Sequence, residues 1–387
     1  MTTALPPIIE TPPALLQLVG ELEQEETVAV DLEADSFHCF FARVCLVQIT
    51  SSRRTVLVDP LKLPDLDPLK TVMAERRIRK IFHAADYDIR CLHRDFGIVV
   101  RNLFDTMTAC KLLGDKILGL ADLLRNHFGV ELDKKFQCAN WALRPLPAEM
   151  LHYAAEDTRH LHRLAALIEQ RLIDAGRLEW AREEFALLEE LRHNDLPGQL
   201  IHAFPAAAAF DRRQLGALER LLKWRDEEAR RQNRRYLHIV GGKALSSLAA
   251  ALPETSAEMV GLEEVTPRLI RRYGADFVRI IEETRRLPEE LLPLPPAIET
   301  RQRNLLANGL VRELKNWRQT AAAELALDPG ILINNNLLEE IARRKPKSRE
   351  DLKRIPALKK WQIEALGDQL LAQIAQPARK PKKKNSR

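Results

Sequence analysis

The sequence lacks the features of a protein that enters or crosses a membrane. No apolar run approaches the roughly 20 residues that a membrane-spanning helix requires. Residues 1–10 have neither the charged nor the apolar region of a secretory signal. We therefore expect a cytoplasmic protein without a membrane partner.

Cysteine is scarce, and its spacing fits neither a disulfide framework nor a zinc site. The five cysteines are scattered, with no Cys-x-x-Cys pair and no histidine at zinc-ligand spacing: Cys39, Cys45, Cys91, Cys110 and Cys138. We expect reduced thiols, most of them buried.

Acidic residues outnumber basic ones in only one half of the chain. Residues 1–200 hold 24 basic and 31 acidic side chains, a net charge of −7, whereas residues 201–387 hold 36 and 24, a net charge of +12. An acidic half joined to a basic half fits a carboxylate-rich active site served by modules that hold a polyanion, because lysine and arginine displace counterions from phosphates. The alternative is that these charges are solvated helix faces.

The order of apolar patterns predicts the class of the first domain. The length of 387 residues favours two or three domains at about 100 to 200 residues each. Four apolar runs predict strands: residues 27–32, 44–50, 55–58 and 80–83. From about residue 85 to residue 192 apolar residues recur mainly at helical spacing. Strands followed by helices and a further short strand predict an α/β layer fold.

The basic half contains an internal repeat with an offset of 93 residues. Trp224 and Arg225 recur at Trp317 and Arg318. The same offset joins further pairs: Pro253 and Pro346, Leu262 and Ile355, Ile270 and Ile363, and Gly274 and Gly367. A register kept without gaps over about 50 residues predicts two copies of one small helical domain, with both tryptophans in the helical cores.

Proline-rich breaks and a basic tail delimit these copies. Pro197, Gly198 and Pro205 mark a linker at about 195–213, and the sequence LLPLPP at 291–296 marks a second one. The nine residues 379–387 include six basic residues and no acid, so we expect a disordered tail whose lysines add phosphate affinity.

The first candidate site element lies on the first strand of the acidic half. Alternate residues of a strand share a face, so Asp31 and Glu33 project together about 7 Å apart while Leu32 points the other way. Two acids on one face of an apolar strand are costly unless a positive group lies between them. The alternative is a solvated sheet edge.

Two further elements each place an acid on a helix. Asp88 stands on the first turn of a helix that follows the strand ending at His83, where an acid also complements the helix dipole. Tyr153 and Asp157 are four residues apart on a later helix, so they share one face. Either element alone is commonplace.

Together the three elements resemble the DEDD exonuclease superfamily, in the subgroup that has a tyrosine. The more specific resemblance is to the ribonuclease D family, which includes the catalytic exonuclease of the eukaryotic exosome. Five segments carry it: Phe82-His83-Ala84, DIRCLHRDFGIVVRNLFDT (88–106), Leu132-Asp133-Lys134, Trp141-x2-Arg144-Pro145-Leu146 and Tyr153 to Asp157. One departure is Asp31-Leu32-Glu33-Ala34 where bacterial relatives usually have Asp-Thr-Glu-Phe, a change that keeps both acids and affects at most the seating of the terminal nucleotide.

The resemblance covers nearly the whole chain, because the two repeats resemble HRDC domains. It implies an α/β ribonuclease H-like exonuclease domain with a mixed sheet, followed by two all-α HRDC-type domains. The expected boundaries are 1–195 for the exonuclease domain, 196–213 for a linker, 214–287 for the first HRDC domain, 288–297 for a second linker, 298–376 for the second HRDC domain and 377–387 for the tail.

The resemblance also implies two divalent metal ions, Mg²⁺ or Mn²⁺, because hard oxygen ligands select such ions. Asp31 would bridge both ions, Glu33 and Asp157 would complete the site that activates water, and Asp88 would serve the second ion directly or through water. Tyr153 would orient the attacking water together with Glu33.

Candidate substrate contacts lie outside the carboxylates. Lys134, Lys135, Trp141 and Arg144 fall in a segment that resembles the family's substrate side, where cations hold phosphates and an aromatic ring stacks. Trp141 is equally well a core anchor, and for His83 a buried capping or packing role is favoured over a chemical one. In the first repeat the candidates for phosphate contact are Arg230, Arg231, Arg234 and Arg235, with a solvated helix face as the alternative.

The function that the resemblance implies is 3′-to-5′ exoribonuclease activity on structured RNA. It would release nucleoside 5′-monophosphates, with transfer RNA precursors as the expected partners and a monomer as the expected state. One alternative is a noncatalytic RNA-binding scaffold, which the presence of all four acids and Tyr153 argues against. The other is a DNA-directed 3′-to-5′ exonuclease, since proofreading exonucleases share these motifs.

Overall fold

A six-stranded mixed sheet organises the first half of the chain. A computed structural model describes residues 5–35, 43–193, 200–294 and 305–375. The strands are β1 (Ile8–Ile9), β2 (Thr27–Ala34), β3 (Val44–Thr50), β4 (Thr55–Val58), β5 (Arg79–Phe82) and β6 (Leu103–Asp105). Their order across the sheet is β1-β4-β3-β2-β5-β6. The predicted strands and the mixed α/β class are confirmed.

The pairing of the strands places β2 near the middle of the sheet. It runs antiparallel to β3 on one side and parallel to β5 on the other. All seven residues of β3 are buried, as expected for a strand covered on both faces. Strand β2, which carries the first two acids, is therefore held by a paired strand on each side.

Eight helices accompany the sheet in the described part of this half. They are α1 (Pro12–Leu22), α2 (Leu69–Ala74), α3 (Asp86–Phe96), α4 (Thr106–Leu113), α5 (Leu120–Phe128), α6 (Ala148–Arg159), α7 (Leu161–Asp174) and α8 (Leu178–Glu189). Left-handed glycines end α3, α4 and α5, at Gly97, Gly114 and Gly129, the usual way in which glycine stops a helix.

The basic half is helical in both repeats. The first contains α9 (Arg212–Gln232), α10 (Gly242–Ala251) and α11 (Pro267–Arg285). The second contains α12 (Leu305–Glu324), α13 (Pro329–Leu332), α14 (Asn335–Arg344), α15 (Arg349–Lys353) and α16 (Lys360–Ala375). Short 3₁₀ turns lie at Leu200–Ala203, Pro205–Ala209, Tyr236–His238, Ala257–Met259 and Glu289–Leu291.

The backbone reproduces the offset of 93 residues in detail. Helices α10 and α14 keep this offset at both ends. Each ends on a left-handed residue at the equivalent position, Leu252 with φ 49° and Lys345 with φ 48°. Both repeated arginines, Arg225 and Arg318, are 8% exposed. Trp224 packs in the first core between the rings of Tyr273 and Phe277, so the repeat and the core position of this tryptophan are confirmed.

The described residues divide into two compact units, and the second repeat lies in the same unit as the sheet. One unit contains residues 5–34, 44–193 and 305–375, and the other contains residues 35, 43 and 200–294. The segment before α9, predicted as a linker, contributes the buried Ile201 and Ala207 to the core of the second unit. The predicted domain boundaries stay a prediction, and the tail 377–387 lies outside the described residues.

Helix α8 is the surface on which the second repeat packs. Trp180 and Trp361 stack with ring centroids 4.7 Å apart, and the Trp361 indole donates to Glu184 at 2.9 Å. Glu183 accepts hydrogen bonds from the backbone N–H groups of Lys360 and Trp361 and so caps α16.

A second contact joins the end of α4 to the second repeat. A Cβ atom at Gly114, where φ is +84°, would come within 1.9 Å of the Ala326 carbonyl oxygen. Glycine at this position therefore both ends α4 and permits the close approach of the two backbones.

The expectations about cysteines and membranes can be compared with the described residues. The four described cysteines form no disulfide: Cys45, Cys91 and Cys110 are buried, and Cys138 is exposed. Cys39 lies outside the described residues. No helix in the described part of the chain is long and apolar enough to cross a membrane.

We predict that Trp361→Ala lowers the free energy of unfolding of the unit that contains the sheet by about 3–5 kcal/mol, because it removes a buried aromatic ring and leaves a cavity against α8. Urea denaturation followed by circular dichroism measures this. Arg354→Ala, at an exposed position of the same repeat, is the control and should change the value by less than about 0.5 kcal/mol. An unchanged transition for Trp361→Ala would contradict the prediction.

Candidate active site

Strand β2 presents the first two acids on one face. Asp31 pairs with Gln48 and Glu33 with Leu46 in the register of β3, and the pairing becomes irregular directly after Glu33. Leu32, between the acids, is 7% exposed and belongs to the main hydrophobic core. The period of two therefore separates the acids from the core, as the sequence predicted.

The loop between β5 and α3 positions the third acid. Ala84 adopts a left-handed backbone with φ 69°, and its N–H donates to Asp105 Oδ1 at 2.8 Å. Helix α3 begins two residues later, so that Asp88 lies on its first turn with only 5% of its surface exposed. The strained loop residue is thus held by a buried carboxylate on the neighbouring strand.

Asp105 is a supporting residue to which the sequence motifs assign no role. It caps α4 by accepting the Met107 N–H at 3.0 Å, and it accepts the Thr108 hydroxyl at 2.8 Å. Its 2% exposure shows that these bonds are made in the interior. An aspartate directly before a helical pattern is an N-cap signal, so the sequence did contain a cue for this capping role.

His83 lies at the end of β5 and contacts both the protein frame and the cavity. Its Nδ1 is 2.8 Å from the Thr106 hydroxyl, which in turn donates to the Phe82 carbonyl. Burial lowers the pKa of His83. The other side of the residue lines the active-site cavity, so the structure supports the buried role and leaves substrate contact as a proposal.

Helix α6 carries Tyr153 and Asp157 one turn apart. The helix is fixed to the sheet by a hydrogen bond of 2.7 Å between the hydroxyls of Thr158 and Thr50. The Tyr153 ring packs against Phe136 and Trp141, with centroids 5.7 Å and 6.0 Å away. This support fixes the phenol beside the carboxylate.

These elements meet at a cavity of about 220 Å³. The predicted site residues that line it are Asp31, Glu33, His83, Tyr153 and Asp157. Asp88 does not line the cavity, but its charge acts on Glu33, and the charge of Asp31 acts on Asp88. The structure therefore brings together the four acids and the tyrosine that the sequence scattered over more than a hundred positions.

Burial raises the pKa of every acid in this group, and repulsion by neighbouring acids adds to the shift for Glu33, Asp88 and Asp157. Burial raises the pKa of Asp31 to about 7. Burial and then the charge of Asp31 raise the pKa of Asp157 to about 8. The pKa of Glu33 is raised well above its usual value by burial, then by Asp31, Asp157 and Asp88, and that of Asp88 by burial, then by Asp31 and Asp105.

Tyr153 remains a neutral phenol at physiological pH. Burial first, and then the charges of Asp157 and Glu33, raise its pKa far above the usual value. A neutral hydroxyl can both donate and accept a hydrogen bond. Tyr153 is therefore suited to orient a polar molecule in the cavity and unsuited to act as a base.

The donor set fits divalent cations bound partly through other oxygens. Over the described ranges, no three His, Cys, Asp or Glu side chains are already arranged to hold one ion. Mg²⁺, however, is usually bound by one or two carboxylates, with water and substrate phosphates as its remaining ligands. Acids that are grouped in a poorly solvated site are stabilised when cations neutralise them, so the four carboxylates suit such ions.

The two predicted substrate lysines lie on an exposed segment near the cavity. Lys134 is 57% exposed and lies 3.7 Å from Asp122. Lys135 is 60% exposed and pairs with Glu149 at 2.9 Å. Exposed ion pairs of this kind are weak, so both lysines stay candidates for phosphate contact.

Trp141 and Arg144 are not available to substrate as the sequence suggested. Trp141 is 1% exposed and packs under Tyr153, so its ring cannot stack on a base. The Arg144 guanidinium donates twice to the buried Asp59, at 2.6 and 2.8 Å, and once to the Cys45 carbonyl. The core alternative is correct for Trp141, which belongs to a hydrophobic cluster, and Arg144 ties its loop to the sheet through Asp59 and the Cys45 carbonyl.

The four predicted arginines of the first repeat belong to the other compact unit. They lie at the end of α9 and in the following turn, where Arg230, Arg231 and Arg234 are exposed and Arg235 is half-buried. Arg231 pairs with Glu228 at 2.6 Å. Their contact with phosphate stays a prediction.

Comparison with family models matches both parts of the chain. A model described as a 3′-5′ exonuclease matches residues 6–173. A model of the HRDC domain matches residues 214–281 and residues 307–374. The two HRDC matches again differ by 93 residues, the offset of the sequence repeat.

Individual proteins and solved structures agree with these matches. Ribonuclease D of Pseudomonas paraeruginosa is 28% identical over 367 residues, which cover 92% of this chain and 94% of that protein. Exosome complex component 10 of Rattus norvegicus is 31% identical over 73% of this chain, which spans only 34% of that longer protein. The crystal structure of Escherichia coli RNase D, described as an exoribonuclease involved in structured RNA processing, shares the fold, with a TM-score of 0.78, 23% identity, and coverage of 96% of this chain and 99% of that one.

We predict that the protein without metal loses stability as the pH rises from about 4 to 8. The folded-state pKa values of Asp31 and Asp157 lie above their ordinary value of 3.8, at about 7 and about 8. Protons bound in the folded state therefore stabilise it at low pH, and this stabilisation is lost as the pH passes through these values. Thermal melting in EDTA from pH 5 to 8.5 measures the trend.

Asp31→Asn should flatten this dependence, because it removes the acid that raises the pKa of its neighbours. Glu179→Gln removes one charge from an exposed position on α8 and is the matched control. Mg²⁺ or Mn²⁺ should raise the melting temperature more at pH 8 than at pH 5.5. Equal profiles for Asp31→Asn and Glu179→Gln would contradict this account of the site.

Proposed function

This chain belongs to the ribonuclease D family of 3′-5′ exonucleases, and we propose that it shortens RNA from the 3′ end and releases nucleoside 5′-monophosphates. The observation that carries the proposal is a group of four carboxylates: Asp31, Glu33 and Asp157 line one cavity beside Tyr153, and the buried Asp88 is close enough to act on Glu33. A family member that had lost catalysis would be expected to have relaxed this costly cluster. We therefore favour the enzyme over the noncatalytic scaffold.

Asp31, Glu33, Asp88 and Asp157 would hold two divalent cations, with Mg²⁺ or Mn²⁺ as the expected ions because all the donors are hard oxygens. When bound, such ions supply a nucleophile at neutral pH and stabilise the departing 3′ oxygen. The central position of Asp31 among the acids is supported by its effect on the pKa values of Glu33, Asp88 and Asp157. Asp31 is therefore the acid best placed to serve both ions.

Tyr153 and the buried frame around it position the attacking water. The phenol is neutral, close enough to Asp157 and Glu33 to be affected by their charges, and held by Phe136 and Trp141. Positioning of this kind contributes to rate because a reacting group held in the correct geometry needs no further ordering.

RNA is favoured over DNA by the relatives with which the chain aligns. Proteins named ribonuclease D align over nearly its whole length, both HRDC domains included. We propose structured RNA, with transfer RNA precursors that carry 3′ extensions as the substrate, and a monomer in the cytoplasm as the working state. The remaining candidate is a DNA-directed exonuclease with the same chemistry.

We predict that a 5′-labelled single-stranded RNA is shortened to a ladder in the presence of Mg²⁺ or Mn²⁺ and is not shortened in EDTA. A DNA strand of matched sequence should be shortened more slowly. Asp31→Ala should reduce the rate by about 10³-fold or more, the factor that about 4 kcal/mol of lost electrostatic stabilisation produces. Asp174→Ala, at an exposed helix end, is the control. No shortening of either strand would support the scaffold, and equal rates would support the DNA-directed enzyme.

We predict that Tyr153→Phe lowers kcat by about 10²-fold, the cost of a misplaced reacting group. The apparent affinity for Mn²⁺ and the Kd for RNA should stay near their wild-type values, since the phenol is neither a charge nor a metal ligand. Tyr273→Phe removes a hydroxyl that contacts Gln232 in the other compact unit and serves as the control. Wild-type turnover in Tyr153→Phe would exclude this role.

A further inference from the structure

The two HRDC repeats differ at the residue that precedes two equivalent helices, α10 in the first repeat and α14 in the second. In the second repeat, Asn334 caps α14 by accepting the Leu337 N–H at 2.9 Å. Arg318 donates to the Ile333 carbonyl at 2.5 Å and to the Asn335 side-chain oxygen at 3.0 Å. The start of α14 is therefore satisfied by side chains of the repeat itself.

In the first repeat the equivalent positions have no side chains. Gly241 and Gly242 stand where Asn334 and Asn335 stand, and α10 has no side-chain cap. The first turn of a helix leaves backbone N–H groups without partners inside the helix. These donors and the positive end of the helix dipole make such a terminus attractive to an anion.

Packing explains only one of the two glycines. A Cβ atom at Gly242 would lie 3.3 Å from the Phe204 ring, so a side chain there would be crowded. Gly241 has open space within 4 Å of its Cβ position, and its φ of −69° and ψ of 154° suit any residue. Its backbone matches that of Asn334, with φ −73° and ψ 165°. The absence of a cap at Gly241 is therefore not required by the fold.

A buried arginine supplies an independent indication of a ligand. Arg225, which corresponds to Arg318, is 8% exposed and lies with its guanidinium carbon 4.3 Å from the Tyr236 ring, in the turn that leads into α10. Its Nε, like that of Arg318, has no hydrogen-bond partner among the described residues, and it lies 3.5 Å from Asp226 in an ion pair. The difference between the two arginines lies in the terminal nitrogens, which in Arg318 donate to Ile333 and Asn335. The oxygen that Asn335 offers to Arg318 has no counterpart at Gly242.

We propose that the start of α10, together with Arg225 and Lys243, binds one phosphate of the RNA backbone. The proposal rests on the proposed action on RNA and assigns a defined contact to the first HRDC domain. A phosphate would supply the acceptor oxygens that Asn334 and Asn335 supply in the second repeat, and an arginine fork suits its geometry. Lys243 is 72% exposed, with Glu263 3.4 Å away, and such an exposed pair yields readily to phosphate.

The divergence of the repeats also explains why only the first would bind at this position. The second has its own asparagine cap, and its arginine is already bonded. The same helical scaffold therefore offers an open anion site in one copy and a closed one in the other.

The test substitutes the cap in the full-length protein. Gly241→Asn recreates the cap of the second repeat, and Gly241→Asp adds a negative charge to it. Asparagine and aspartate are good N-caps at this backbone conformation, so neither variant should lower the melting temperature. Fluorescence anisotropy with a labelled single-stranded RNA in EDTA measures binding without hydrolysis.

We expect Gly241→Asn to raise the Kd about 5-fold and Gly241→Asp to raise it about 10-fold or more, the range set by anion contacts at helix termini. The slope of log Kd against log salt concentration should decrease by about 1, the change expected when one phosphate contact is lost. Asn334→Asp adds the same charge at the equivalent cap of the second repeat and should leave RNA affinity unchanged.

Wild-type affinity and salt slope in both Gly241 variants would overturn the site. An equal loss of affinity in Asn334→Asp would overturn it too, because the effect would then be one of overall charge. Weakened binding in the Gly241 variants, with no shortening of RNA by the wild-type protein, would uphold the phosphate site while refuting the nuclease.

Discussion

The close grouping of four poorly solvated carboxylates is the constraint on which the rest of the first domain depends. Burial raises the pKa of all four acids, Asp31, Glu33, Asp88 and Asp157, and the charge of Asp31 raises the pKa of the other three further, because little water is left to screen it. No single element could hold such a group. Two acids come from the middle of a sheet and the other two from different helices, so the fold must hold strands and helices together against an unfavourable charge.

The surrounding structure supplies that support through buried polar contacts. Asp105 fixes the left-handed Ala84 and caps α4 with the same carboxylate, and the Thr50–Thr158 hydrogen bond fixes α6 to the sheet. Phe136 and Trp141 hold the Tyr153 ring. Each contact lies one residue or one ring away from the cavity. The site is thus positioned by neighbours that never reach a substrate, as is typical of preorganised active sites.

The two helical repeats show how one scaffold takes on different tasks. In the second repeat, Trp361 and the start of α16 are satisfied by Trp180, Glu183 and Glu184, so this copy is part of the catalytic unit. In the first repeat the position equivalent to Trp361 is Arg268, which is exposed. Differences at a few helix starts, rather than in the helical cores, therefore separate a packing module from a module suited to bind a polyanion.

The sequence by itself determined the strands, the repeat and the members of the acidic group. Period-two alternation separates Asp31 and Glu33 from Leu32, and the offset of 93 residues survives in the helix ends because both are local properties of the chain. Sequence position could not show whether a polar or aromatic side chain faces solvent. Trp141 and Arg144 stand in a segment that resembles the family's substrate side, but Trp141 packs against Tyr153 and Arg144 is hydrogen-bonded to Asp59.

Only the tertiary structure decided that Asp105 supports the loop before α3 and that the second repeat packs on α8. It also decided that the start of α10 has no side-chain cap, whereas Asn334 caps α14. Each of these depends on partners far apart in the chain. Their energy comes from burial and hydrogen bonding between elements, which local patterns do not encode.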